Sequence, residues 1–154
     1  MEIVVILYNI RSGYNVGNIL RTAEFLGIKK VVGVGVTPLP PHKEVIKTSL
    51  GAEKNLIIER SFSIKKTIKN LKKEKFQIIG IEQSKSSIPY FNFKKRFKKI
   101  ALILGNELKG IPKKYLKLCD YVLEIPKLGK IKESLNVANT FAIIASYFVF
   151  EFSS

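Results

Sequence analysis

Cysteine, histidine and tryptophan are almost absent from this chain of 154 residues, which contains one cysteine, one histidine and no tryptophan. A single cysteine, Cys119, excludes an internal disulfide, and one cysteine with one histidine is too few for the usual Cys- or His-based metal sites. We therefore predict no metal. Cys119 lies between a helical pattern and a strand pattern, so we expect it to pack in the core.

Segments that direct a protein to a membrane are also lacking. The start, Met-Glu-Ile-Val-Val, has neither the basic region nor the long apolar stretch of a signal peptide. The apolar run at 137–150 is interrupted by Asn139, Thr140 and Ser146, and it is shorter than the roughly 20 residues that cross a bilayer. We expect a cytoplasmic protein with no membrane partner, in which this run forms a buried helix.

Sequence fingerprints of nucleotide-binding loops and of hydrolases are missing too. Gly33-Val34-Gly35 lacks the third glycine of a dinucleotide-binding loop, and the sequence contains no P-loop. His42 has no nucleophile beside it, and no pair of carboxylates has the arrangement of a hydrolase acid and base. A bound cofactor must therefore be held in another way.

Acidic residues are few relative to basic ones. The chain has 12 Asp and Glu against 27 Lys and Arg, which gives a formal net charge of +15. Such an excess favours a polyanionic partner such as nucleic acid. A lysine-rich composition that serves only solubility is the alternative.

Strand-like and helix-like patterns alternate along the chain, which predicts an α/β fold with a largely parallel sheet flanked by helices on both faces. About six strands are predicted, at 3–8, 31–36, 55–59, 77–81, 100–104 and 121–125. Helical patterns lie at 16–26, with Asn15 as a cap, and at 63–73, 112–118 and 136–148.

Three clusters of small and polar residues lie where apolar segments end. The carboxyl ends of parallel strands are where ligands bind, so these clusters predict one site assembled from several strand ends. They are Asn9-Ile10-Arg11-Ser12 with Asn15-Val16-Gly17-Asn18-Ile19-Leu20-Arg21, then Leu104-Gly105-Asn106-Glu107, and finally Ile125-Pro126 with Ser134-Leu135-Asn136-Val137-Ala138-Asn139.

Each cluster also has a plain structural interpretation. Gly105 fits a strand-to-loop turn, and Ile125 and Leu135 fit ordinary core packing. Asn136 and Asn139 fit a helix cap and contacts between helices, and Glu107 could offset the charge of a helix N-terminus.

In this order and spacing, the clusters resemble the three motifs of the SpoU family (TrmH-like) of RNA 2′-O-ribose methyltransferases, in the SPOUT superfamily. The resemblance extends the first cluster to Ala23, extends the second to residues 101–111, and adds Gly129 to the third. The resemblance spans residues 9–139. It implies one domain over residues 1–154, with a parallel sheet and a deep trefoil knot in the C-terminal third. It also implies that S-adenosylmethionine binds within about residues 100–150.

Roles for individual residues follow from the resemblance. Arg21 is the implied activator of the ribose 2′-hydroxyl, either as a base that has lost its proton or as a fixed charge that lowers the pKa of the hydroxyl. The alternative is an exposed cation paired with Glu24. Asn15 positions the arginine or the ribose, and the other implied catalytic residues are Glu107, Ser134 and Asn136. The implied cofactor-binding residues are Leu104, Gly105, Ile125, Ser134, Leu135 and Asn139.

The partners are implied in the same way. Family members are homodimers in which the arginine of one subunit lies near the cofactor of the other. The last helix offers apolar residues for such an interface, namely Phe141, Ile144, Tyr147, Phe148, Phe150 and Phe152.

RNA is the implied substrate, and basic segments at 94–99, 113–117 and 127–132 could contact its phosphates. The aromatic residues Tyr90, Phe91 and Phe93 either stack on bases or pack in the core. The short chain and the Ser-x-Asn-x-x-Asn motif resemble the compact branch that acts on the wobble ribose of certain tRNAs, which favours tRNA.

Other interpretations stay open. Asn106 stands where the compact branch usually has proline, so ribosomal RNA is the other candidate substrate. A non-catalytic knotted RNA-binding protein is a further interpretation, and so is a small nucleotide-binding protein unrelated to RNA.

Overall fold

The computed structural model describes residues 1–152 as a seven-stranded sheet with helices on both faces. Every strand pairing is parallel, and the strand order is β3-β2-β1-β6-β4-β7-β5. The strands are β1 (Glu2–Tyr8), β2 (Lys30–Val34), β3 (Ile57–Ser61), β4 (Gln77–Ile81), β5 (Ile88–Pro89), β6 (Lys99–Leu104) and β7 (Tyr121–Glu124). The helices are α1 (Gly13–Phe25), α2 (Lys43–Ser49), α3 (Ile64–Lys73), α4 (Lys113–Leu116) and α5 (Val137–Phe152).

The predicted α/β class with a parallel sheet is confirmed. The central strands β1 and β6 are continuous apolar runs because both of their faces are covered. Side chains on one face pack against α1 and α5, and those on the other pack against α3. The seventh strand, β5, has only two residues, which is too short for a sequence pattern.

Several predicted boundaries are corrected. Ser12, rather than Asn15, caps α1, since its hydroxyl oxygen accepts a hydrogen bond from the Asn15 N–H at 3.2 Å. The strand predicted at 31–36 ends at Val34, because Gly35 turns the chain with a φ of 69°. The strand predicted at 55–59 lies at 57–61 instead, after a short 3-10 turn that ends at Asn55.

Most apolar residues of α5 fill the core, as expected of a buried helix, and of the six residues predicted for a dimer interface only Phe150 is exposed. Phe141, Ile144, Phe148 and Phe152 are buried in the core of the chain itself. Tyr147 is half-buried, and its hydroxyl donates to the Phe93 carbonyl at 2.7 Å. The exposed apolar side chains on α1 and α5 are Tyr14, Phe25, Ile143 and Phe150.

All the strands run in one direction, so their carboxyl ends share one edge of the sheet. The three predicted clusters follow β1, β6 and β7 at this edge. Within residues 1–152, no helix combines the length and the apolar character needed to cross a membrane.

Candidate active site

A cavity of about 520 Å³ lies at the carboxyl ends of β4, β6 and β7. Parallel strands deliver backbone N–H and C=O groups to this edge, where no further strand pairs with them. Eight of the ten predicted site residues line the cavity, namely Asn15, Leu104, Gly105, Glu107, Ile125, Ser134, Leu135 and Asn136.

Glu107 joins the first cluster to the second. Its Oε1 accepts from the Arg11 N–H at 2.9 Å, and its Oε2 accepts from the Ser12 N–H at 3.0 Å and from the Asn15 side-chain amide at 3.2 Å. The carboxylate therefore satisfies N–H groups at the start of α1, as the plain structural interpretation of Glu107 expects.

Asn136 joins the third cluster to the first. Its side-chain amide donates to Asn15 Oδ1 at 3.1 Å, and its Oδ1 accepts from the N–H groups of Ala138 and Asn139 at the start of α5. A single chain of hydrogen bonds thus runs from Asn136 through Asn15 to Glu107. This chain brings together residues that are up to 121 positions apart in the sequence.

The environment of Glu107 keeps it charged. Burial by itself raises the pKa of a carboxyl group, but the N–H donors of Arg11 and Ser12 and the Asn15 amide bind the ionised form. The donors outweigh burial, so the pKa of Glu107 lies below its usual value of 4.5. Glu107 is therefore an acceptor at neutral pH and has no proton to give.

The loop from 105 to 111 is tightly folded against the end of β6. A side chain at Gly105 would bring a Cβ to 2.6 Å from the carbonyl carbon of Gly110 and to 2.7 Å from the Ile111 nitrogen. Gly110 has a φ of +66°, and the Glu82 carboxylate fills the space where its Cβ would be. Both glycines are needed for the backbone to follow this path.

Glu82 is a site residue that the sequence analysis missed. It directly follows β4, lines the cavity, and accepts from the Ile111 N–H at 2.8 Å through Oε2. The sequence does contain a signal for Glu82, because it is a polar residue directly after a buried strand, as Asn9 is after β1. No local pattern shows, however, that Glu82 reaches a loop 29 residues further along the chain.

Carboxylates dominate the charge of the cavity lining. Four of the 12 acidic residues of the chain line it, namely Glu82, Glu107, Glu124 and Glu133, against one of the 27 basic residues, Lys109. Within residues 1–152, no three His, Cys, Asp or Glu side chains are grouped so that they could hold a metal ion. In a chain with a net charge of +15, this lining favours a ligand that carries positive charge.

Arg21 and Asn139 do not line this cavity. Arg21 is exposed on α1, six residues after Asn15, which places it about 9 Å further along the helix axis. It lines a separate cavity of about 690 Å³ beside the turn at 49–52 and Ser146 of α5. Asn139 is exposed on α5. Its predicted contact with the cofactor stays a prediction.

The purely structural interpretations of Arg21, Leu135 and Ile125 agree with the structure only in part. Within residues 1–152, no ion pair joins Arg21 to Glu24, and the Glu24 carboxylate instead accepts from the Asn55 amide at 3.1 Å. Leu135 is 47% exposed, so ordinary core packing does not explain it. Ile125 does pack partly against the core.

Other residues singled out in the sequence take structural positions. Phe93 is buried, Tyr90 is half-buried, and Phe91 is 47% exposed. Cys119 is half-buried, and burial raises the pKa of its thiol to about 11, with a further contribution from Asp120. The thiol is therefore protonated at neutral pH, in agreement with a packing role.

Comparison with known proteins gives consistent results. A sequence model of the SpoU rRNA Methylase family matches residues 2–146. A protein of Borreliella burgdorferi, described as an uncharacterized tRNA/rRNA methyltransferase, is 36% identical over 141 residues, which are 92% of this chain and 60% of that protein. The chain spans about three fifths of the length of the curated relatives that it matches.

Solved structures have the same fold. An AdoMet-bound rRNA methyltransferase from Sinorhizobium meliloti matches with a TM-score of 0.87 and 26% identity, over 96% of this chain and 55% of that one. A structure described as giving insights into the 2-OH methylation of C/U34 on tRNA matches with a TM-score of 0.84 and 20% identity, over 97% of both chains. The latter likeness is one of fold alone.

The family match covers nearly the whole chain, and the three clusters meet at one cavity. The resemblance inferred from the motifs is therefore confirmed, and the chain belongs to the SpoU rRNA methylase family.

Proposed function

We propose that this chain is an S-adenosylmethionine-dependent RNA methyltransferase that acts on a ribose 2′-hydroxyl. The observation that carries the proposal is the cavity to which all three motifs contribute, with its four carboxylates and one lysine. S-adenosylmethionine carries a sulfonium and an ammonium group against one carboxylate and is therefore a net cation, so this lining suits it better than it suits a nucleoside phosphate. The volume of about 520 Å³ lies within the range of small-molecule sites.

Residues at the cavity have distinct proposed roles. Backbone groups at Leu104, Gly105, Ile125 and Leu135 hold the adenosine part, since their side chains are apolar or absent. Ser134 lies towards the methionine end, in the role that the family resemblance implies. Asn15, Asn136 and Glu107 fix the loops around the cavity through their mutual hydrogen bonds. When bound, the cofactor supplies an electrophilic methyl group.

We propose that Arg21 completes the site from a second subunit. Within one chain, Arg21 lines a different cavity from the one that is lined by five of the six predicted cofactor residues. Arg21 is exposed on α1. The apolar side chains of Phe25 on α1 and of Ile143 and Phe150 on α5 are exposed as well. Burying them between two copies of the chain would bring α1 of one copy towards the other. Beside the ribose, the guanidinium would lower the pKa of the 2′-hydroxyl as a fixed charge, or, once it has lost a proton to solvent, the neutral guanidine would accept the hydroxyl proton.

The threading and the substrate are part of the same proposal. We infer that residues 100–150 form the trefoil knot of the superfamily and that residues 1–154 work as one domain. The net charge of +15 supports an RNA partner. We favour tRNA over ribosomal RNA because of the Ser134-Leu135-Asn136-Val137-Ala138-Asn139 motif.

Transfer of a labelled methyl group from S-adenosylmethionine to total tRNA and to ribosomal RNA tests the proposal. The modified nucleotide is then mapped after digestion to nucleosides. We expect a 2′-O-methylated nucleoside, found in the tRNA fraction. Base methylation would refute the ribose chemistry, and label in ribosomal RNA alone would refute the tRNA preference.

Three further measurements separate the other interpretations. Calorimetric titration with S-adenosylmethionine should show binding, and its absence would remove the cofactor proposal. Sedimentation should give a dimer, and full activity of a monomer would remove the shared site. RNA binding with no methyl transfer to any RNA would favour a non-catalytic protein.

A further inference from the structure

Phe62 is an exposed aromatic side chain at the carboxyl edge of the sheet. It directly follows β3 and is 85% exposed, and Val36, in the loop after the neighbouring strand β2, is 72% exposed. A large aromatic ring that is left in water at the edge carrying the candidate active site offers a face on which another flat group can stack.

Strand register places Phe62 in line with the cavity. Ser61 pairs with Val34 and Val34 pairs with Tyr8, so the residues after these strands form one row along the edge. The next strand along this row is β6, whose Leu104 pairs with Leu7 of β1. Three strand spacings separate β3 from β6, which corresponds to about 14 Å. An extended nucleic acid strand lying along the edge would span this distance.

Hydrogen bonds connect the row from the loop at 105–111 to the loop after β2 and to β3, which precedes Phe62. The Asn106 amide donates to the Asn9 carbonyl at 2.8 Å, and Asn9 Oδ1 accepts from the Val36 N–H at 3.0 Å. Arg60 then joins β3 to the same loop, since its Nη1 donates to the Gly35 carbonyl at 2.6 Å. The edge between the cavity and Phe62 is therefore an ordered surface.

Positive charge lies along the same route. The Arg60 guanidinium is 6.0 Å from the centre of the Phe62 ring, and a second bond, from Nη2 to the Thr37 carbonyl at 2.6 Å, fixes its position. Arg11 after β1 and Lys109 after β6 are both exposed. The edge therefore combines spaced cations with an exposed aromatic ring. Proteins that bind single-stranded nucleic acids use this combination, because the cations contact phosphates and the ring stacks on an unpaired base.

We propose that Phe62, with Arg60 against its ring and Val36 exposed in the neighbouring loop, is a stacking platform for an unpaired base of the substrate RNA. This base flanks the nucleotide whose ribose is methylated, so the proposal rests on the RNA function proposed above. The aromatic face supplies affinity for any base, and Arg60 and Arg11 contact the phosphates between the platform and the cavity.

The test compares Phe62→Leu, which keeps an apolar side chain, with Phe62→Tyr, which keeps the aromatic face. Ile57→Ala is the matched control. Ile57 is 57% exposed and is the first residue of the same strand, so it lies at the amino end of the sheet, away from the candidate active site. The probes are total tRNA and a fluorescein-labelled single-stranded RNA of about 12 nucleotides, a length within the range of single-strand sites. Binding is measured by anisotropy at about 0.15 M salt, since affinity for RNA depends on ionic strength.

Phe62→Leu should weaken binding of both probes by about 5- to 150-fold, the range for loss of one stacked base. Phe62→Tyr and Ile57→Ala should bind as the unchanged chain does. All three variants should bind S-adenosylmethionine normally, which shows that they are folded.

Two results would overturn the platform. One is that Phe62→Leu binds RNA with the same affinity as the unchanged chain. If the oligomeric mass of Phe62→Leu also changes, Phe62 belongs to a contact between proteins instead. The other is a loss in Phe62→Tyr as large as that in Phe62→Leu. Failure of the unchanged chain to bind or methylate any RNA would instead overturn the proposed function.

Discussion

Replacing Glu107 with glutamine removes one charge from the network that joins the three motifs. Glutamine has the same shape but only one acceptor oxygen. The glutamine side chain keeps most hydrogen bonds when its oxygen faces Ser12 and Asn15 and its NH2 group faces the Arg11 N–H. The hydrogen bond from Arg11 is then lost, and those from Ser12 and Asn15 are made to a neutral instead of a charged acceptor. Hydrogen bonds to charged groups contribute about 1.5–3 kcal/mol and neutral ones about 1 kcal/mol. These figures sum to about 2.5–7 kcal/mol. Because the site is partly exposed, solvent screening reduces this sum, and we expect a net destabilisation of about 2 kcal/mol.

A loss of this size should lower the melting temperature of a chain of this length by about 4–8 °C. Acid unfolding should change as well, because the pKa of Glu107 is lowered in the folded chain. The unfolded chain binds the proton first as the pH falls. The stabilisation from Glu107 is therefore present above its usual pKa of 4.5 and is lost as the pH falls through the folded value. Glu107→Gln should lack this part of the acid dependence.

Urea unfolding followed by far-UV circular dichroism measures the free energy of unfolding at pH 7 and at several lower pH values. Glu74→Gln is the control, since Glu74 is an exposed carboxylate at the end of α3. If Glu107→Gln unfolds with the same free energy and the same acid dependence as this control, the network does not stabilise the fold as argued.

Three other substitutions or modifications have definite expected outcomes. Gly105→Ala forces a Cβ to within 2.6 Å of Gly110, and should lower single-turnover methyl transfer by about 10- to 100-fold. Gly105→Ala should also lower the melting temperature, whereas Gly129→Ala, whose added Cβ meets no atom within 4 Å, should not; equal melting temperatures of the two variants would contradict the packing argument. Arg21→Ala should lower methyl transfer by about 100- to 1,000-fold and leave calorimetric binding of S-adenosylmethionine intact, whereas equal loss of both would point to a folding defect or a wrong assignment. Cys119, with its pKa raised to about 11, should resist iodoacetamide at neutral pH in the folded chain and react after unfolding in urea, and equal labelling rates would contradict its burial.

The local features of this fold could be predicted from the sequence. The buried strand at 77–81 matches β4 at both ends, because it is a short apolar run that has to be covered on both faces. The start of α1 was misjudged because Ser12 and Asn15 are both good caps and lie three residues apart. Only the backbone shows which of the two precedes the helix.

The arrangement of distant segments could not be predicted from local patterns. Nothing in the composition of β6 shows that it lies between β1 and β4. Similarly, the apolar residues of α5 could have faced a partner or the core, since both surroundings favour the same residue types. The site was predicted largely because its residues form recognisable motifs, whereas Glu82 was missed because it stands alone in the sequence and acts across a loop.

The wholly parallel sheet also has a consequence for how the chain folds. Within residues 1–152, no two strands are joined by a tight hairpin, so every pairing must close a long loop before it gains any hydrogen bonds. The pairing of β1 with β6 is an extreme case, since Ile3 meets Ile100. During synthesis, β1 can pair with β2 early but must leave its other edge open until residues 99–104 have emerged. We therefore expect slow folding and a period in which this apolar edge is open to aggregation.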